Sequence, residues 1–87
     1  MYRIEYEARA RKELTALPRH VRRQVSEAIE HLSTDPRPPG CRKISGTEDG
    51  YRIRVGRYRV IYGVKEQVLV IVIVRVAKRD EATYRGL

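Results

Sequence analysis

The chain has 87 residues, 19 of them Lys or Arg against 11 Asp or Glu, for a formal net charge of +8 and a pI near 10.2. That length suits one small domain with one modest core over residues 1–87, and a lone cysteine rules out an internal disulfide. The charged stretch from Met1 to Leu17 argues against a signal peptide, and the longest apolar run, Val68 to Val74, is too short to span a bilayer, so a cytoplasmic protein without a membrane role is expected. A balance this basic favours a polyanionic partner, nucleic acid first, although an acidic protein satisfies the same charge.

Tyr2-Arg3-Ile4-Glu5-Tyr6 alternates and predicts a first strand, its inner face open between Ile4 and the Tyr2/Tyr6 pair. Glu7 to Leu17 predicts a helix: alanines and long side chains fill it, Glu7 sits in its first turn, and Ala10, Leu14 and Leu17 share a face. Pro18 interrupts it and suits the first position of a second helix. There Val21, Val25, Ala28, Ile29 and Leu32 recur at spacings of three and four. Asp35-Pro36 ends this helix, and Pro38-Pro39-Gly40 makes a stiff connection. Two helices joined at a proline predict a helical hairpin across one face of a sheet. His20 and His31 lie on it and read as surface residues away from any basic face. Cys41 to Ile44 is a short strand or an extended segment, with Cys41 a packing residue, and Gly46 to Gly50 is a turn.

Tyr51 to Tyr62 then predicts two alternating strands around Gly56-Arg57, where a type II′ turn needs a first residue that tolerates positive φ. A two-residue loop sets the pairing: Val55 opposite Tyr58, Arg54 opposite Arg59, Ile53 opposite Val60, Arg52 opposite Ile61, Tyr51 opposite Tyr62. Tyr51, Ile53, Val55, Tyr58, Val60 and Tyr62 share the core face. Arg52, Arg54 and Arg59 share the other, with Arg57 in the turn. Like charges opposite one another are unfavourable, arginine cannot lose its proton, and the hairpin holds no carboxylate. Either the arginines splay into water or a ligand, phosphate above all, supplies the missing charge.

Gly63 to Gln67 predicts the next turn, and the β-branched run Val68 to Val76 a central strand covered on both faces. Arg75, Lys78 and Arg79 make a second basic cluster at its end. Asp80 suits the cap of a last helical turn, Glu81 to Tyr84, in a tail able to fold back over the arginine face. The expected architecture is α+β, in the order β-α-α-β-β-β-β with a short tail. A twisted, mainly antiparallel sheet carries a two-helix hairpin on one face and a basic site on the other. No metal-ligand spacing and no Gly-rich phosphate loop is present, so no cofactor is expected.

Tyr51-Arg52-Ile53-Arg54-Val55, Gly56-Arg57-Tyr58-Arg59-Val60-Ile61-Tyr62, Val74-Arg75-Val76-Ala77-Lys78-Arg79 and Tyr84 together resemble the RelE branch of the RelE/ParE toxin superfamily, over essentially the whole chain. The closing Lys-Arg-(four residues)-Tyr pattern favours RelE over ParE. The resemblance implies a toxin of a type II toxin–antitoxin system that cuts mRNA in the ribosomal A site without a metal, arrests translation, and is silenced by a cognate antitoxin, expected here to be acidic. It implies catalytic roles for Arg59, Arg79 and Tyr84, and RNA or phosphate contacts for Arg52, Arg54, Arg57 and Lys78. Arg52 and Arg54 stand where better-known members often carry lysine, and an arginine, unlike a lysine, does not become a proton acceptor. Tyr84 is then the candidate base for the 2′-hydroxyl, with Arg59 and Arg79 on the phosphorane and Arg79 favoured to serve the leaving oxygen. Two other classes fit the residues: a ParE-like inhibitor of DNA gyrase, and a non-catalytic nucleic-acid-binding relative.

Overall fold

The computed structural model describes residues 1–79. Five strands form one sheet in the order β1-β5-β4-β3-β2. They are β1 (Arg3–Tyr6), β2 (Arg42–Lys43), β3 (Gly50–Val55), β4 (Tyr58–Lys65) and β5 (Val70–Lys78), and two helices, α1 (Ala8–Thr15) and α2 (Arg19–His31), separate β1 from β2. Among the described residues only β1 and β5 pair in parallel, and the other strand pairs are antiparallel. The expected element order and helical hairpin are therefore present. Among the described residues no helix is long and apolar enough to cross a membrane.

The helices cover one face. Ala10 of α1, Val25 and Ile29 of α2, and Leu32 just beyond it bury fully against Ile53, Val60, Tyr62, Val64, Ile71, Ile73 and Val76. Their spacing explains this: residues three and four apart stack on one side of a helix, while alternate residues share one side of a strand. Tyr2, Ile4 and Tyr6 all pack on this core. The choice posed for the first strand does not exist, because positions 2, 4 and 6 have the same parity. Pro18 caps α2 from outside, in an extended conformation, rather than opening it. Three successive short-range bonds from Leu32, Ser33 and Thr34 then unwind α2 before Pro36.

The β3–β4 hairpin has the counted register, from Val55 opposite Tyr58 to Tyr51 opposite Tyr62. Gly56 has φ +57° and Arg57 is not among the positive-φ residues, as a type II′ turn requires. Tyr51 and Tyr62 stack at 6.0 Å within the core region, as expected, but Tyr58 is only half-buried and outside the core cluster.

The last strand pair differs from expectation at both ends. Gly63 does not open a turn; it is buried in β4, and Val64 N–H donates to Asp49 O at 2.9 Å, so the strand runs on to Lys65. The turn falls at residues 66–69, with Leu69 at φ +55° and Val68 67% exposed. At the far end β5 continues past Val76 to Lys78, because Ala77 and Lys78 pair with Arg59 and Tyr58. On the helix-free face of β5, Val72 and Val74 are half-buried, so covering there is partial.

Candidate functional site

The helix-free face carries the charge, through pairing geometry. Arg42 lies opposite Arg52 across β2 and β3, and Arg54 opposite Arg59 across β3 and β4. Paired residues point to the same side of a sheet, so both pairs stand on one surface. On β5 the neighbour of Arg59 is Ala77. Its small side chain leaves space beside the arginine.

Ala77 occupies that position because β5 carries a bulge. Tyr62 pairs with Ile73 and Ile61 with Arg75, so Val74 is the extra residue. An extra residue inverts the parity of everything beyond it. Without it Val76 would lie beside Arg59 and crowd the basic face; with it Val76 turns into the core, 3% exposed. Arg75, opposite Ile61, has the same parity as Arg59 and Ala77, yet it does not join the basic cluster expected of it, because Glu13 takes it up. Arg75 is 6% exposed and clasps Glu13 of α1: Nε lies 3.1 and 2.9 Å from the two carboxylate oxygens, and Nη2 2.7 Å from one of them. Glu13 also accepts Val76 N–H at 2.8 Å, at a place β1 no longer reaches, since β1 ends opposite Ile73. One glutamate thus neutralises a buried guanidinium and closes the edge of β5.

The basic surface divides into two cavities. The first, about 420 Å³, is lined by Arg57, Arg59, Lys78 and Arg79. It is built where the β3–β4 turn meets the end of β5, and Arg79 N–H fastens that junction by donating to Arg57 O at 2.7 Å. The second, about 540 Å³, runs along the edge of β3 and takes in Arg42, Arg52, Arg54 and Arg59. Arg59 lines both. Among the described residues, no ion pair involves Arg42, Arg52, Arg54, Arg57 or Arg79. Several guanidinium groups at one cavity make a strong site for an anion with planar, multidentate oxygens.

Of the seven residues named from the sequence, six are brought to this surface, and among the described residues Arg59 alone serves both cavities. Tyr84 lies outside the described residues, as do Asp80 and Glu81. Sequence reasoning missed two residues of the second cavity. Arg42 was detectable from the register once Cys41 to Ile44 is read as a strand facing Arg52. His31, expected away from the basic face, lines the second cavity, because α2 ends beside the part of β3 that β2 leaves uncovered.

The described tyrosines with displaced phenols are poor proton acceptors. Burial pushes Tyr62 well up, and its hydroxyl donates to Pro36 O at 2.7 Å. Burial also raises Tyr6, and the hydrogen bond to Glu66 raises Tyr2. Among the described residues no group of three His, Cys, Asp or Glu side chains converges to hold a metal ion.

Comparison with known proteins gives a consistent family. Residues 4–83 match the family model described as the ParE toxin of the type II toxin–antitoxin system parDE. The chain is 31% identical over 84 residues to a putative toxin RelE1 of Methanocaldococcus jannaschii, covering 93% of each chain. It is 29% identical over 83 residues to the mRNA interferase toxin RelE of Escherichia coli K12, covering 93% of this chain and 86% of that one. Its fold matches RelE in the archaeal RelE–RelB complex of Pyrococcus horikoshii, with a TM-score of 0.81 at 35% identity over 93% of this chain and 98% of that one. The shared architecture is the one already described, two helices on a five-stranded mixed sheet. The chain belongs to the RelE/ParE superfamily and is a RelE-like toxin of a type II toxin–antitoxin system.

Proposed function

We propose that this toxin is a cytoplasmic endoribonuclease, a single domain over residues 1–87, that cuts mRNA in the ribosomal A site without a metal and so arrests translation. The observation that carries this reading is the cradle of Arg57, Arg59, Lys78 and Arg79, a cavity lined by four cationic side chains. A phosphodiester entering it meets guanidinium groups on several sides. When the 2′-hydroxyl attacks, the phosphorane gains a second negative charge, and fixed cations stabilise that state more than the ground state. Arg59 and Arg79 take this role. Arg52, Arg54, Arg57 and Lys78 hold the backbone, and Tyr84 accepts the 2′-hydroxyl proton. Arg79 serves the leaving 5′-oxygen. The name of the E. coli relative, an mRNA interferase, supports the same activity. The partner that silences it is an acidic antitoxin segment that covers the arginines and folds as it wraps.

The test is a cell-free translation reaction with primer extension along the mRNA. Ribosome-dependent cuts within codons are expected, with little cutting of the same RNA alone, because the A site supplies positioning that free RNA lacks. Unaffected translation without new cuts refutes the reading. A second reading follows from the family model, which is named for ParE: a non-enzymatic poison of DNA gyrase. Gyrase-linked DNA breaks with intact mRNA in induced cells would select it.

A further inference from the structure

We infer that Ala77 is a positioning residue for the proposed cleavage: by staying small it gives the Arg59 side chain its seat between the cradle and the groove along the edge of β3. This rests on the endoribonuclease reading and adds a residue that the reading does not use. Arg59 lines both cavities, so its placement divides the charge between them. It stands in a row of three across the sheet, with Arg54 opposite on β3 and Ala77 opposite on β5. Residues opposite one another in a sheet have Cβ atoms about 4.5–5.5 Å apart, so each neighbour bounds the room left to Arg59.

The two sides of that row are unequal. Neither guanidinium of the Arg54–Arg59 pair can lose its proton, so repulsion pushes Arg59 away from β3 and towards β5. On β5 the way is clear at two positions, for two different reasons. Arg75, two residues back on the same side, is taken up by Glu13 of α1, with Nη2 2.7 Å from the carboxylate. Ala77 leaves room because its side chain ends at Cβ. Just beyond, Lys78 and Arg79 line the cradle together with Arg59. A longer side chain at position 77 fills the space on that side. It turns Arg59 back towards Arg54 and out of the cradle.

The bulge in β5 decides which residue fills the position. With Val74 as the extra residue, Ala77 pairs with Arg59 and Val76 with Val60; in a straight strand Val76 would pair with Arg59. The shifted register is closed at the strand edge, where Glu13 accepts the Val76 N–H at 2.8 Å. Strand preference points the other way at this position. Valine is enriched in strands and alanine is depleted, and position 77 lies within β5. An alanine there, 5% exposed, departs from that preference beside the one arginine that, among the described residues, both cavities share. Room for Arg59 accounts for the departure.

The test is a cycle of Ala77→Val, Arg59→Ala and the double variant. Two assays read it: single-turnover cleavage on programmed ribosomes, and binding of an uncleavable 2′-O-methyl dinucleotide to the purified toxin at low salt. Ala77→Val should lower cleavage by about ten- to a hundredfold, the effect of displacing a reacting contact by about 1 Å. Dinucleotide affinity should fall about tenfold, as for one lost hydrogen bond to a charged group. The melting temperature should hold or rise, since a β-branched residue suits a strand. In the Arg59→Ala background Ala77→Val should change neither measurement, because the arginine it acts through is gone. Ala77→Ser, which hardly changes the size, should stay close to the parent. An Ala77→Val toxin with the parent's rate and affinity overturns the inference. So does a loss that is the same with and without Arg59, and so does an Ala77→Ser toxin as impaired as Ala77→Val. Should Ala77→Val not stay folded, Ala77→Cys, intermediate in size, carries the same cycle. The two readings fail separately: ribosomes left uncut by the parent, with the binding cycle coupled, refute the nuclease, and ribosomes cut, with both cycles additive, refute the seat.

Discussion

Replacing Glu13 should unfold this toxin more readily than replacing any arginine of the basic face. Three interactions end on its carboxylate: the Arg75 guanidinium, the Val76 amide and, at 3.8 Å, Arg9. Glu13→Gln keeps the shape and removes the charge. The Arg75 side chain, 8% exposed, then faces a neutral amide, and one of its bonds must be surrendered to the amide's own donor. Removing one partner of a buried pair costs about 3–5 kcal/mol. Glu13 is 22% exposed, so water softens the loss and the lower end, about 3 kcal/mol, applies. At roughly 4–8 °C per kcal/mol for a domain of this size, the melting temperature should fall by about 12–24 °C. Arg75→Met should cost less, because Glu13 keeps the Val76 amide and Arg9, and the double variant Glu13→Gln/Arg75→Met should recover part of the loss. Melts of all four proteins make the cycle. A Glu13→Gln protein that melts within about 3 °C of the parent refutes the argument, since such a shift corresponds to less than 1 kcal/mol. The cycle also bears on function. The strand Glu13 clamps ends at Lys78 and leads into Arg79, so a Glu13→Gln toxin that still folds should lose cleavage more than Arg54→Ala does.

Three further outcomes are expected. Arg59→Ala should weaken both ribosome engagement and single-turnover cleavage, while Tyr84→Phe should lower cleavage by about two to four powers of ten with binding nearly intact; a Tyr84→Phe toxin that cuts at the parent rate removes tyrosine from the mechanism. Affinity for the antitoxin should fall with ionic strength, and an affinity indifferent to salt would argue against an electrostatic contact. The hydrogen bond from Arg37 holds Glu66 below its ordinary value of 4.5, so the stability this pair adds is present above that value and is lost as pH falls through the lower folded value. Glu66→Gln should therefore melt below the parent at pH 7, and the gap should close in acid; a gap that persists at pH 2 contradicts the assignment.

The parts of this fold legible in the sequence are those fixed by neighbours. Alternation on both sides of Gly56 permits one register at a two-residue turn, so the opposition of Arg54 and Arg59 follows from counting. The apolar stripe of α2 is equally local. The bulge at Val74 is not, because Val70 to Val74 reads the same in either parity: an unbroken β-branched run has no polar residue to mark which face is which. The contact made just beyond the bulge is with Glu13, 62 positions away from Arg75 in the chain, and no local pattern announces it. For the same reason Arg75, two positions from Ala77 and three from Lys78, reads as one more cation of the basic cluster. His31 was misplaced for a geometric reason as well. Its helix lies on the core side of the sheet, and only the shortness of β2 lets that helix end meet the opposite face around the edge of β3.

On the proposed reading, the composition of the site bears on how cleavage is confined to the ribosome. The cradle and the groove between them hold six arginines and one lysine, with His31 at the rim. Guanidinium groups remain charged across the accessible pH range. They bind phosphate and stabilise a phosphorane, but they do not take the 2′-hydroxyl proton. Tyr62, the buried tyrosine of the β3–β4 hairpin, is pushed up and bonded to Pro36, so it does not take the proton either. On the proposed reading, the surface described here supplies affinity and charge stabilisation, and proton removal is left to the tail bearing Tyr84. Charge stabilisation without a positioned base is a weak nuclease, since a general base adds about two to four powers of ten. Effective molarities in well-oriented reactions are larger still. An RNA bound to these arginines in solution has neither term fully in place. On the proposed reading an A-site codon brings the orientation. On that reading the strongly basic surface is compatible with low activity on bulk RNA, because affinity and charge stabilisation alone do not remove the 2′-hydroxyl proton.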